Sequence, residues 1–178
     1  AKTIEYITRA QLFSTKKEKI RMNPSYFRIR LNKEKAIERL CGWNGKNIKE
    51  KTETQFDDAV SVSIDENGQW KGSCLYVYEN KGWTVFEDLS GGYAVIGAEN
   101  WKTFAKDDPL VVAGYNDAIN YAELVIIENG IIQKNFIECA DIPKKNVNEG
   151  LGYKNIWDLT DVASFIDDHD LVYSDNGT

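Results

Sequence analysis

Three short turn signals constrain the fold of this chain more than any other feature. "DENG" at Asp65–Gly68, "ENKG" at Glu79–Gly82 and "ENG" at Glu128–Gly130 each separate two runs rich in apolar residues. Asn and Gly tolerate the positive φ angles of tight turns, so each signal favours two antiparallel strands joined locally. The flanking runs fit: "AVSVSI", "WKGSCLYVY" and "WTVFEDL" surround the first two signals, and "AELVII" and "IIQKNFI" the third. In "PSYFRIRLN", Tyr26, Arg28 and Arg30 alternate with Phe27, Ile29 and Leu31, which predicts one more extended segment. The expected sheet is an antiparallel meander, in which one face can stay wet.

The first third of the chain otherwise reads as helical. Thr8 is placed to cap "RAQLFSTKKEKIRM", and Asn32 to cap "KEKAIERLC". In the second of these, Ala36, Ile37 and Leu40 share a face and Gly42 offers a left-handed stop. "GWNGKNIKEKTETQ" reads as a polar connection. "AENWKTFAK" puts Trp101, Phe104 and Ala105 on one helical side, and Thr160 caps "DVASFIDD" near the end. Between the last strand and that helix, "CADIPKKNVNEGLGYKN" is a loop long enough to suggest function. The fold class expected is α+β, one domain over residues 1–178. It consists of a mainly antiparallel meander with N-terminal helices, one mid-chain helix and a C-terminal helix packed on it.

Composition narrows the function classes. A chain of 178 residues with 42% apolar and 12% aromatic residues can bury a full core, which excludes disordered and fibrous classes. Its apolar runs fall far short of the roughly 20 residues that span a bilayer. The start, "AKTIEYITRAQ", lacks a basic-then-apolar secretory pattern. Cys41, Cys74 and Cys139 are odd in number and widely spaced, as expected of reduced thiols in a cytoplasmic protein. Net charge is −6, unevenly spread: Ala1 to Lys51 carries +9 and Thr52 to Thr178 carries −15. A basic, helix-rich part therefore precedes an acidic, hairpin-rich body, an asymmetry that points to a charged partner.

Catalytic frames are poorly supplied. The single histidine, His169 in "DDHD", follows a predicted helix and reads as a solvated acidic cap region rather than a metal site. No Ser or Cys sits in a nucleophile elbow, and "SGG" lacks the frame of a phosphate cradle. The pairs Asp57/Asp58, Glu87/Asp88 and Asp107/Asp108 read as strand ends or helix boundaries, because neighbours on a strand point to opposite faces. Lys16 to Lys35 mixes basic and aromatic residues as single-strand binders do, but acids interrupt it and the pI of about 4.9 speaks against nucleic acid. The reading is no catalytic residue, no cofactor and no metal.

Aromatic residues adjoin acids throughout the body: Trp83 and Phe86 by Glu87 and Asp88, Tyr115 by Asp117, Tyr121 by Glu123, Trp157 by Asp158. Aromatic anchors supply buried contact energy, and a one-signed field steers a cationic partner. Trp83, Glu87, Asp88, Tyr93, Asp117 and Tyr121, all expected at hairpin ends, are the candidate partner-binding residues.

With "GWTVFEDLSGGYA" and "GYNDAINYAELVIIENG" in such a body, the chain resembles in general character the bacterial immunity proteins of polymorphic-toxin and contact-dependent inhibition systems. The resemblance implies a non-enzymatic cytoplasmic protein that binds and blocks a cognate toxin, commonly a nuclease whose basic active site an acidic partner fills. Two alternatives stand beside it. One is a small carboxylate-dependent enzyme acting on a sugar or nucleotide, and the other a single-stranded nucleic-acid-binding domain using Lys16 to Lys35.

Overall fold

The computed structural model of the chain describes residues 2–7, 25–116 and 120–150. In chain order these give β1 (Lys2–Ile7), β2 (Ser25–Ile29), α1 (Lys33–Asn44), β3 (Asn47–Thr52), α2 (Phe56–Ser63) and β4 (Ser73–Asn80). Then follow β5 (Trp83–Asp88), α3 (Ala98–Ala105), β6 (Leu110–Asn116), β7 (Tyr121–Glu128), β8 (Ile131–Cys139), a 3-10 turn (Pro143–Lys145) and β9 (Val147–Gly150). All nine strands join one sheet in the order β3-β1-β4-β5-β2-β6-β7-β8-β9. The seven strands from β4 to β9 in that order pair antiparallel, and β1 pairs parallel with both β4 and β3. The class is α+β, with a mainly antiparallel sheet as expected. No helix among the described residues is long and apolar enough to cross a membrane.

Two of the three turn signals make the hairpins they predict. Lys81 (φ 50°) and Gly82 (φ 83°) close the Asn80–Trp83 pair, and Asn129 (φ 52°) and Gly130 (φ 72°) close Glu128–Ile131. Two consecutive positive φ angles match the twist of flanking strands, which selects Asn, Gly and their like there. "DENG" is also a turn, but it joins a helix to a strand. "AVSVSI" lies largely within α2, not in a strand. Its apolar spacing fits both periods over so short a run, and Phe56, Ala59 and Ser63 share one helical side against the sheet. Asp57 and Asp58 sit in the first turn, where the helix dipole favours acids.

The meander is interrupted. β2 inserts between β5 and β6, with Phe27 opposite both Phe86 and Val112. Neither face is wet at the centre, contrary to expectation. On one face Tyr26, Tyr76, Val85, Val111 and Leu124 pack with Ala59 and Phe56 of α2. On the other, Phe27, Val77, Phe86, Val112 and Val125 pack under Leu40 of α1 and Trp101 and Phe104 of α3. Helices on both faces explain why both sides of β4 and β7 are mainly apolar rather than alternating strictly with polar residues.

Three more expectations change. Lys2–Ile7 is a strand, although the first third reads as helical. Within the supposed connection "GWNGKNIKEKTETQ", Asn47–Thr52 forms β3 at the sheet edge, its charges suited to an edge that must not recruit other chains. The loop after β8 contains the 3-10 turn and β9, which returns along β8. The helices expected over "RAQLFSTKKEKIRM" and "DVASFIDD", and the end of the chain, lie outside the described residues.

α1 begins as predicted. Asn32 Oδ1 accepts from Lys35 N at 2.9 Å, and Glu79 Oε1 on β4 accepts from Lys33 N at 3.0 Å. Both acceptors satisfy amides that the helix itself leaves open. The stop is Gly45 (φ 66°), not Gly42, because Trp43 stacks on Trp101 at 5.1 Å and carries the helix past Gly42. Asn32→Ala is expected to cost about 1 kcal/mol. Urea unfolding checks this: an unchanged midpoint would show that the cap contributes nothing.

Candidate functional site

The structure separates the candidate residues between the two faces and takes most of them inside. Trp83 opens β5 and is half-buried, with the Arg28 guanidinium 4.0 Å and that of Arg30 5.2 Å from its ring centroid. Glu87 stands on the α2 side, opposite Tyr26 and Tyr76, and accepts from Tyr78 Oη at 3.2 Å. Asp88 turns to the other face. Its Oδ1 accepts from Gly91 N (2.9 Å) and Gly92 N (3.2 Å), and its Oδ2 from Tyr93 N (2.9 Å). "EDLSGG" is therefore a turn that a carboxylate holds by its own backbone amides. Tyr93 packs its ring on Phe27, and its hydroxyl accepts from Asn44 Nδ2 at 2.7 Å. Tyr121 Oη donates to Glu123 Oε1 at 2.7 Å. Asp117 lies outside the described residues.

Glu87, Asp88, Tyr93 and Tyr121 are each no more than 8% exposed, so their expected place on an exposed hairpin end is corrected. The reason is physical. In a sheet covered on both faces, an acid next to an aromatic residue is drawn inside with it, and it persists there by accepting hydrogen bonds.

The most perturbed of these acids is Glu123, which sequence reasoning noted only as a neighbour of Tyr121. It is 1% exposed, on the face that α1 and α3 cover. Burial pushes its carboxyl from an ordinary 4.5 up to about 7, and hydrogen bonds from Tyr121 and from Val95 N (3.2 Å) pull the other way. Nearby Asp88 adds to the rise, and burial raises Asp88 itself. Burial and the adjacent Glu123 charge together raise the Tyr121 phenol. The segment crossing above them is anchored at Val95, whose amide meets Glu123 and whose carbonyl accepts from Lys145 Nζ at 2.9 Å. Val95 has φ 58°, rare for a β-branched residue, so these anchors hold a strained backbone. The available signal was one charge inside the apolar run "YAELVII". Glu123 and Asp88 are both buried on this face.

An exposed acidic stretch lies on the opposite face, along α2 and the turn after it. From Thr52 to Trp70 the chain has five acids (Glu53, Asp57, Asp58, Asp65, Glu66) and no Lys or Arg. Val60 and Trp70, 43% and 39% exposed, are two of the three large hydrophobic residues exposed among those described. The stretch is structurally defined. Asp65 Oδ1 accepts from Asn67 N (2.8 Å) and Gln69 N (3.0 Å), Lys71 N donates to Ser63 O (2.9 Å), and Trp70 bridges to Ile64. Trp70 is therefore held beside the Asp65 turn, in a stretch of sequence that carries exposed acids. Sequence reasoning passed over it because "AVSVSI" reads as a strand.

Among the described residues no group of three His, Cys, Asp or Glu could hold a metal ion. His169 lies outside them. Cys74 and Cys139 are buried free thiols, and Cys41 is partly exposed. No protein-family model, curated protein or solved structure matches this chain.

Proposed function

We propose that this chain is a cytoplasmic, non-enzymatic immunity protein that neutralises a cationic toxin domain, a nuclease, by occluding its basic active site. The observation that carries the reading is the stretch from Thr52 to Trp70, with five acids, no base, and exposed Val60 and Trp70. Exposed carboxylates and an exposed indole on one stretch suit a site built to hold nucleic-acid phosphates: the acids would face its Lys and Arg, and the indole would fill an adjacent pocket. The binding residues on this reading are Asp57, Asp58, Glu66 and Trp70 rather than the buried Glu87 and Asp88.

Calorimetry with the product of the gene directly upstream tests it. Trp70→Ala and the double reversal Asp57→Lys/Asp58→Lys should each weaken the complex by about 100-fold, the reversal mainly at low salt. No toxin-like neighbour, or variants that bind as tightly as the wild type, would overturn the assignment. A carboxylate enzyme would draw on Glu123 and Asp88, one of them poised near neutrality. Their burial in this conformation argues for the binding protein instead.

A further inference from the structure

On the face of the sheet opposite α2, α1 and α3 flank an open groove of about 560 Å³. That volume falls in the range of sites for small organic ligands. Lys35, Arg39 and Lys106 contribute positive charge to its lining and Glu38 the one negative charge, in a chain whose net charge is −6. Arg39 is partly engaged, reaching Ala105 O at 2.9 Å and Asp108 Oδ2 at 2.7 Å, so it braces the two helices. Lys35 and Lys106 are exposed. Trp43 forms the flat wall. One contact of its indole is the stack on Trp101, and its Nε1 donates to Thr103 Oγ1 at 2.8 Å, which fixes the ring's orientation.

Gly42 lies inside α1 without a positive φ, and a Cβ built on it would meet nothing within 4 Å. Glycine in a helix interior costs about 0.5–1 kcal/mol relative to alanine, and nothing in the protein's own packing requires it here. Its effect is to leave space beside Trp43. Across the groove, Lys106 has φ 54° and ψ −118°, a combination normally left to glycine, so the lysine is kept at the rim despite backbone strain.

We propose that this groove binds a nucleotide-class ligand, a flat ring carrying phosphate. The ring would lie along Trp43 in the space that Gly42 leaves, and the phosphate would meet Lys35 and Lys106. Glu38 is an acceptor beside them, suited to the hydroxyl or amino donors of a sugar or base. The site is independent of the acidic face, which lies across the sheet.

Titration with ATP and UTP, followed by tryptophan fluorescence and calorimetry, tests the proposal, with tripolyphosphate and adenosine as the anion-only and ring-only arms. At least one nucleotide should bind with Kd below about 1 mM, and each partial ligand at least about tenfold more weakly. Gly42→Leu should fill the space and weaken binding by about tenfold or more without lowering the thermal midpoint, and Lys106→Glu should weaken it similarly. Tripolyphosphate binding as tightly as both nucleotides would reduce the groove to a patch of cations. Failure of both nucleotides to bind, or Gly42→Leu binding unchanged, would overturn the proposal.

Discussion

Phe27→Ala is expected to destabilise the protein by about 3–5 kcal/mol, a large share of the stability of a typical domain. Phe27 is buried in β2, stacked on Phe86 (4.7 Å between centroids) and packed against Trp101 (4.8 Å) and Tyr93 (5.1 Å). Trp101 is in turn stacked on Trp43, so the ring joins the sheet to both α1 and α3. Removing it leaves a void whose walls belong to four elements that cannot all move inward, and the cost rises with the cavity that remains. Among the described residues, β2 is also the strand that links the β3-β1-β4-β5 half of the sheet to the β6-β7-β8-β9 half. Urea unfolding should show a lower midpoint with an unchanged slope, while Val60→Ala on the exposed α2 side stays within about 0.5 kcal/mol. A Phe27→Ala loss below about 1 kcal/mol would mean that the aromatic cluster is not the centre of the core.

How legible this fold was depends on the range of the information. Local signals worked. Positive-φ turns at Lys81–Gly82 and Asn129–Gly130, the Asn32 cap and the Trp101/Phe104 stripe each depend on residues a few positions apart, and each is found in place. Non-local choices were hidden. β2 leaves its sequence neighbours to pair with β5 and β6, and β1 pairs parallel with β3 and β4, which no turn residue can encode. "NIKEKT" becomes a strand because β1 offers hydrogen bonds, with no apolar alternation to announce it. At Gly42 and Gly45 the choice of helix stop was settled by Trp43 finding Trp101, some 60 residues onward in the chain.

The same distinction governs the candidate site. An acid beside an aromatic residue reads alike whether it faces a partner or caps a buried turn, and covering both faces of the sheet decided against exposure for Glu87 and Asp88. The α2 acids were legible as charge, but not as a surface until the helix placed Asp57 and Val60 along one side.

Stability should fall as pH rises from about 4.5 through about 7, opposite to the usual behaviour of a carboxylate, and Glu123 should be responsible. Its carboxyl sits near 7 in the folded protein against an ordinary 4.5, because burial penalises the ionised form more than Tyr121 and the Val95 amide support it. Between these values the folded state holds a proton that the unfolded state has lost. The unfolded state therefore binds fewer protons, and unfolding becomes easier as pH increases. The stabilisation is complete below about 4.5 and gone above about 7, and the displacement corresponds to roughly 3 kcal/mol. Asp88, also raised by burial, acts in the same direction. Glu123→Gln isolates the contribution: the amide oxygen can still accept from Tyr121 and Val95, and no charge forms at any pH. The variant should match the wild type near pH 4.5 and exceed it by roughly 3 kcal/mol near pH 8, so that the difference between the two urea midpoints grows across that window. A difference that stays flat with pH, or a Glu123 carboxyl that titrates near 4.5 by NMR, would show that the buried acid is ionised and stabilised by contacts other than those named.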